Sequence, residues 1–225
     1  MSRTYVVTGG NRGLGLEFAR VLSARGERVI ATARDPQAAK ELDKLDVRVE
    51  PLDVGDAESI ERFGEAMDGE PIDVLINNAG VGVRSKPFES FDLDEMTRFF
   101  NTNTIGPLRV ARALLPGLRA GGDKKIINIT SRMGSISDNS SGGAYSYRAS
   151  KAALNMATRS LALDLAAEGF VCLVLHPGWV QTRMGGSGAP VMPEDSVAGM
   201  LRVIDKASMD HSGEFFDFTG ASVPW

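Results

Sequence analysis

The chain has 225 residues, 43% hydrophobic and 24% charged, with a net charge of −4 and a pI near 5.3, the profile of a soluble globular protein able to bury a sizeable core. An acidic balance with no basic run argues against a nucleic-acid binder, whose phosphate contacts need a basic surface, and against a membrane-surface protein. No stretch of apolar residues is long enough to span a bilayer, and the one cysteine, Cys172, has no partner for a disulfide, so the expected location is the cytoplasm.

The first apolar run, TYVVT (4–8), is too short for a signal peptide and predicts a strand. It runs straight into TGGNRGLG (8–15). Leu14, Phe18, Val21 and Leu22 then recur at helical spacing, and Gly26 closes that helix. RVIATA (28–33), VRVEPLD (47–53) and VLIN (74–77) predict three more strands. The segment 92–118 predicts one long helix, with Met96, Phe99, Phe100, Leu108 and Leu115 on its apolar side and Pro107 inside it. IINIT (126–130) and FVCLVLH (170–176) make six strands, and 149–168, free of Gly and Pro, predicts a second long helix ending at Gly169. Short strands alternating with helices pair in parallel through crossovers, and continuous apolar runs suit a sheet covered on both faces. The expected fold is therefore α/β, a single doubly wound domain over residues 1–225.

Gly9, Gly13 and Gly15 follow a strand and open an amphipathic helix. A tight turn there brings backbone close to a pyrophosphate, and the free N–H groups at the helix start meet the anion. Gly9, Asn11, Arg12, Gly13, Leu14 and Gly15 are therefore candidate dinucleotide-binding residues. An NAD site carries an acid at the end of the second strand for the ribose hydroxyls. Here Ala33 occupies that position, and Arg34 and Arg12 offer guanidinium groups to a 2′-phosphate. NADP(H) is favoured over NAD(H), although a shift of one residue would make Asp35 the missing acid.

TGGNRGLG (8–15), LDV (52–54), NNAG (77–80), NTNTIG (101–106), TSRMG (130–134), YRASK (147–151) and HPGWVQT (176–182) occur in that order. They resemble the motifs of the short-chain dehydrogenases/reductases along nearly the whole chain. RMGSISDNSSGGAYSYRASKAALNM and the ending TGASVPW resemble more narrowly the C-factor/sniffer-type carbonyl reductase branch. The resemblance implies a Rossmann fold with a seven-stranded parallel sheet. It implies that Asp53 and Val54 hold the adenine and that Asn78, Ala79 and Gly80 line the ribose edge. Pro177, Gly178, Val180 and Thr182 would hold the nicotinamide end, and Asn103, Ser131, Tyr147 and Lys151 would form a catalytic tetrad. It also implies a homo-oligomer, a dimer or a tetramer, paired through the two long helices.

AYSYRASK (144–151) holds two of the three tyrosines, and geometry agrees with the resemblance about which one acts. Tyr147 and Lys151 are i and i+4 and share a helix face, whereas Tyr145 is six residues from the lysine, about 240° around the helix. Tyr145 reads as a loop or pocket-wall residue. The implied reaction is hydride transfer between NADPH and a small-molecule carbonyl, with Tyr147 giving its proton to the oxygen and Ser131 holding that oxygen. The nearby Lys151 ammonium is expected to pull the phenol pKa down. Pro107 has no N–H for the carbonyl four residues back, that of Asn103, which is left free to hold a water; the resemblance places that asparagine in a proton relay.

Ser131 and Tyr147 are sixteen residues apart, and the polar loop DNSSGG (138–143) must fold back for both hydroxyls to meet one oxygen. RMGGSGAPVMPE (183–194), where the family builds its substrate lid, is short and Gly-rich and lacks a clear helix, which suggests an open pocket of broad acceptance. His176 and His211 lie far apart with no cluster at ligand spacing, so no metal is expected. Cys172 reads as a buried core thiol. Trp179 reads either as a stacking partner near the nicotinamide or as a cover for the strand end, and Trp225 as a surface-packing residue. The competing reading is a dinucleotide-binding, C-factor-like signalling or regulatory protein with little physiological turnover.

Overall fold

The computed structural model describes residues 2–82 and 88–225. Its strands are β1 (Thr4–Val7), β2 (Arg28–Ala33), β3 (Arg48–Pro51), β4 (Val74–Asn77), β5 (Lys125–Ile129), β6 (Val171–His176) and β7 (Phe215–Asp217). Its α-helices are α1 (Gly13–Ala24), α2 (Ala57–Ala66), α3 (Leu93–Phe100), α4 (Gly106–Ala113), α5 (Leu115–Ala120), α6 (Tyr145–Asp164) and α7 (Pro193–Lys206). The strands form one sheet in the order β3-β2-β1-β4-β5-β6-β7, and every pairing is parallel. This is the expected doubly wound, seven-stranded Rossmann architecture. All six strands read from the sequence are present, and β7 completes the sheet.

Alternation along the strands divides the core. Tyr5 and Val7 point to one face, against Phe18 and Leu22 of α1 and Val197, Met200, Leu201 and Ile204 of α7. Val6 points to the other, against Ile60 and Phe63 of α2, Val110 and Ala111 of α4 and Ala162 of α6. Removing each such large side chain from water contributes about 1.5–3 kcal/mol. The strand order reverses between β1 and β4, so the crevice at the carboxyl ends of these strands is where a ligand has room.

Two expected helices differ from the structure. The segment 92–118 is not one helix: α3 passes through a π-helical turn, Asn101–Ile105, into α4, and α5 follows. Pro107 and Pro116 stand in the first turns of α4 and α5, where a missing N–H costs nothing. Each proline therefore restarts a helix instead of kinking one. The Gly106 N–H bonds the carbonyl of Asn101, five residues back, so the ladder is in the π register here, and Pro107 still has no N–H to offer the Asn103 carbonyl. The second long helix starts at Tyr145, four residues before its expected beginning, and its last turn gives way to a 3₁₀ turn, Ala166–Glu168.

Candidate functional site

The turn after β1 is built by glycine. Gly9 and Gly13 have φ of 69° and 55°, the left-handed region that glycine enters without strain. The N–H of Gly10 bonds the Thr32 carbonyl at 2.7 Å, and that of Gly9 bonds the Thr32 hydroxyl at 3.2 Å, tying the loop to β2. A Cβ on Gly15 would stand 2.1 Å from the Gly9 carbonyl oxygen, so Gly15 lets the loop close on itself and does not line the cleft. The first turn of α1 carries no side-chain cap and no acid. Its N–H groups and the positive end of the helix dipole are left for an anion, which fits a dinucleotide diphosphate.

This loop forms one wall of a cleft of about 540 Å³ lined by Gly9, Asn11, Arg12, Gly13, Leu14, Ala33 and Arg34 on one side. Asp53, Val54, Asn78, Ala79 and Gly80 line it from the loops after β3 and β4, Tyr147 and Lys151 from α6, and Pro177 and Thr182 from the segment after β6. Arg12 and Arg34 make no ion pair among the described residues. Asp35, the alternative acid, caps the turn after β2 by accepting from the Gln37 N–H at 3.0 Å, and it does not line the cleft. The Asn78 amide donates to the carbonyls of Thr8 and Gly9 at 2.9 and 3.3 Å, joining β4 to the glycine loop.

Gly178 and Val180 lie behind the cleft instead of lining it. Gly178, with φ of 86°, packs where a Cβ would come 2.9 Å from the Phe218 ring, and Val180 is buried and bridges Val191. Arg98, Asn101, Thr102, Arg183 and Met184 do line it, though none was among the expected residues. Asn101 and Thr102 flank Asn103 in NTNTIG and Arg183 follows Thr182, so their neighbours in sequence were the available signal. Asn101 donates to the Gly55 carbonyl at 2.5 Å and accepts from Arg109 at 3.3 Å.

Tyr147 and Lys151 occupy one face of the first turns of α6, with the ammonium 6.0 Å from the phenol ring centroid. Ser131, at the end of β5, accepts from the Met133 N–H at 3.1 Å, and its hydroxyl lies near enough to the Tyr147 phenol to act on it electrostatically. Burial pushes the Tyr147 phenol up, and the nearby Ser131 hydroxyl opposes that. The net shift is therefore upward and not the downward one expected; the Lys151 ammonium donates to the Ile129 carbonyl at 2.9 Å, and burial lowers its own pKa to about 8.

Asn103 is fully buried and does not line the cleft itself. Its Oδ1 accepts from the Val81 N–H at 2.8 Å, and its Nδ2 donates to the Ser150 hydroxyl at 3.1 Å. Ser150 in turn donates to the Tyr147 carbonyl at 2.9 Å. Gly80 separates Asn103 from Lys151: a Cβ there would stand 3.1 Å from Asn103 Oδ1 and 3.7 Å from the ammonium.

Tyr145 opens α6 and stacks on Phe91 at 4.8 Å, with Phe88 edge-on at 5.6 Å. It belongs to an aromatic cluster away from the cofactor cleft. The Trp179 indole donates to the Gly185 carbonyl at 2.8 Å, and the Trp225 ring lies 5.5 Å from that of Phe215. Burial lowers His176 to about 4. Among the described residues no three His, Cys, Asp or Glu side chains gather to hold a metal, and no helix is long and apolar enough to cross a membrane.

The family model for short chain dehydrogenase matches residues 3–190. This chain belongs to the short-chain dehydrogenase family. It is 57% identical to the C-signal of Myxococcus xanthus over 155 residues, 69% of this chain and 93% of that protein. It is 37% identical to a 1-hydroxy-2-glutathionyl-2-methyl-3-butene dehydrogenase of Rhodococcus sp. (strain AD45) over 229 residues, 99% of each chain. Among solved structures, an NADPH-bound carbonyl reductase from chicken fatty liver superposes with a TM-score of 0.92 at 40% identity, covering 100% of this chain and 99% of that one. The carbonyl reductase Sniffer of D. melanogaster gives 0.94 at 32% identity, with 100% of both chains covered. This short-chain dehydrogenase stands in the C-factor/sniffer branch and is an NAD(P)-dependent oxidoreductase.

Proposed function

We propose that this chain is an NADP(H)-dependent carbonyl reductase in which Tyr147 is the general acid. The observation that carries the reading is the convergence of Tyr147 and the buried Lys151 in the cleft that the glycine loop opens, with the Ser131 hydroxyl near the phenol. The cofactor supplies hydride when bound; the chain's own residues hold the substrate and manage the proton. Ser131 and Tyr147 are placed to hydrogen-bond one carbonyl oxygen, which fixes the substrate for attack and gives the phenol a proton acceptor. Lys151 has donors to spare beyond the Ile129 carbonyl, and these suit the nicotinamide ribose hydroxyls. Asn103, joined to the Tyr147 backbone through Ser150, belongs to the proton path behind the lysine.

Preference for the phosphorylated cofactor rests on Arg12 and Arg34, unpaired at the cleft, and on the use of Asp35 as a cap. The segment after Thr182 has no helix before α7 begins at Pro193, which supports a small, open substrate site of broad acceptance. A groove of about 480 Å³ between α4 and α6, lined by Leu108, Leu115, Leu161 and Leu165, suits pairing with a second copy of this chain. The cytoplasm is the proposed location.

The test is a panel of aldehydes and ketones with NADPH and with NADH, followed by the absorbance of the reduced nicotinamide. Turnover with NADPH is expected for several compounds, and Tyr147→Phe should lower it by about 10²–10⁴-fold with cofactor binding retained. Equal rates with NADH would overturn the role of Arg34, and undiminished turnover in Tyr147→Phe would overturn that of the phenol. The likeness to C-signal favours a second reading, a dinucleotide-binding regulatory protein. A cellular effect that survives Tyr147→Phe would support it.

A further inference from the structure

The segment after β6 crosses the cofactor cleft. At one end, Thr182 lies on the glycine loop, its Cγ2 3.6 Å from where a Cβ on Gly13 would stand. At the other, Met184 reaches the loop after β4, with its Cγ and Sδ both 2.9 Å from the corresponding position on Gly82. The segment is held in this path. The Thr182 hydroxyl accepts from the Gly185 N–H at 3.2 Å and its carbonyl from the Gly186 N–H at 2.8 Å, while Trp179 holds the Gly185 carbonyl at 2.8 Å. A Cβ on Gly185 would stand 2.0 Å from the Val180 carbonyl oxygen, so the turn admits only glycine without rearrangement.

Arg183 sits between the two anchor points. It is exposed, lines the cleft and makes no ion pair among the described residues. The uncapped start of α1, where Gly13 meets Thr182, lines the same cleft. A diphosphate at a helix N-terminus keeps its outward oxygens open to a second cation, and a guanidinium presents paired donors that match them.

We propose that Arg183 is a clamp for the cofactor diphosphate, carried on the strap 182–184 that bridges the glycine loop and the loop after β4. The inference rests on the dinucleotide reading of the cleft and not on its preference for NADP(H). The clamp acts on a group that NADPH, NADH and ADP-ribose share, whereas Arg34 acts on the 2′-phosphate that only NADPH carries.

The experiment is direct binding, by calorimetry and by fluorescence of the reduced nicotinamide, to wild type, Arg183→Gln and Arg34→Gln. Arg183→Gln should weaken NADPH, NADH and ADP-ribose by a common factor of roughly tenfold or more and leave 2′-AMP binding unchanged. Arg34→Gln should do the reverse, weakening NADPH and 2′-AMP and sparing NADH. Because Arg183 is exposed, the cofactor-free melting temperature should not move, and Arg183→Lys should restore part of the affinity. The clamp is overturned if Arg183→Gln leaves NADH and ADP-ribose binding intact, or if its loss is confined to NADPH. Binding of NADH is read whether or not wild type prefers NADPH, so failure of the Arg34 reading and failure of the clamp are separate results.

Discussion

Arg148 donates from Nη2 to the Ser141 hydroxyl at 2.9 Å, fastening the residue next to Tyr147 to the polar loop that separates it from Ser131. The same guanidinium reaches the Gly142 carbonyl at 3.2 Å through Nε and the Met133 carbonyl at 3.4 Å through Nη1. This is how the loop folds back: one side chain ties its C-terminal end, Ser141 and Gly142, to Met133 in the turn after Ser131. Arg148 is a positioning residue. In Arg148→Met, kcat/KM should fall by roughly ten- to a hundredfold, with NADPH affinity unchanged. The Ser131 hydroxyl lowers the Tyr147 pKa, so letting the two drift apart should also move the basic limb of the pH–rate profile upward. A variant that merely melts sooner, with an unmoved profile, would rule out the positioning role.

Lys151 carries a pH signature of its own. Burial lowers its ammonium from 10.5 to about 8. Between those values the unfolded chain holds a proton that the folded chain has released. The stability of the cofactor-free protein should therefore rise as the pH climbs through this window, with the burial penalty fully present below it. Ribose hydroxyls that accept from the ammonium favour its charged form, so cofactor binding near pH 8.5 should take up a proton, roughly half to one per site. Calorimetry in two buffers of different ionisation enthalpy measures the uptake, which Lys151→Met should abolish. Binding without uptake in wild type would show that the cofactor does not engage the ammonium.

The sheet was legible because each strand buried on both faces reads as a short apolar run, and the glycine loop because its turn tolerates few other residues. β7 was missed by direct reading: Phe215, Phe216 and Asp217 are too few to show a period. The break at residues 101–105 was missed because the apolar stripe continues across it. Phe99 and Val110 are both fully buried, and only Pro107 and Pro116 marked the restarts. Tyr147 and Lys151 were recognisable from helical spacing, which is local. Arg148 and Arg183 were not, because an exposed arginine has no pattern of its own. Their roles depend on Ser141, Met133, Gly13 and Gly82, which folding alone brings near.

Gly15 makes the glycine loop testable by stability. In Gly15→Ala the new methyl would meet the Gly9 carbonyl oxygen at 2.1 Å and Asn78 Nδ2 at 2.6 Å, neither of which can retreat without opening the turn. Overpacking of this kind costs about 1–3 kcal/mol, and a chain of this size loses about 2–4 °C in Tm per kcal/mol. NADPH affinity should fall as well, since the displaced backbone is the diphosphate cradle. Gly188→Ala is the control, because a Cβ there meets nothing within 4 Å. Thermal scans in which both variants match wild type would mean the loop is slack.

Cys172 provides a last check, on the interior of the sheet. It is the second residue of β6, fully buried among Val6, Leu75 and Ile126 on the α2, α4 and α6 face. Burial pushes its thiol up to about 12, so the thiolate that attacks electrophiles is scarce as well as hidden. Iodoacetamide or an aromatic disulfide at pH 8 should leave the native protein unmodified and label one thiol per chain after denaturation. Cys172→Ala should retain kcat, since the cleft draws no residue from this strand, while losing stability on the scale of a small cavity. Rapid labelling of folded protein, at a rate that does not follow the unfolding equilibrium, would contradict the packing of β6 described above.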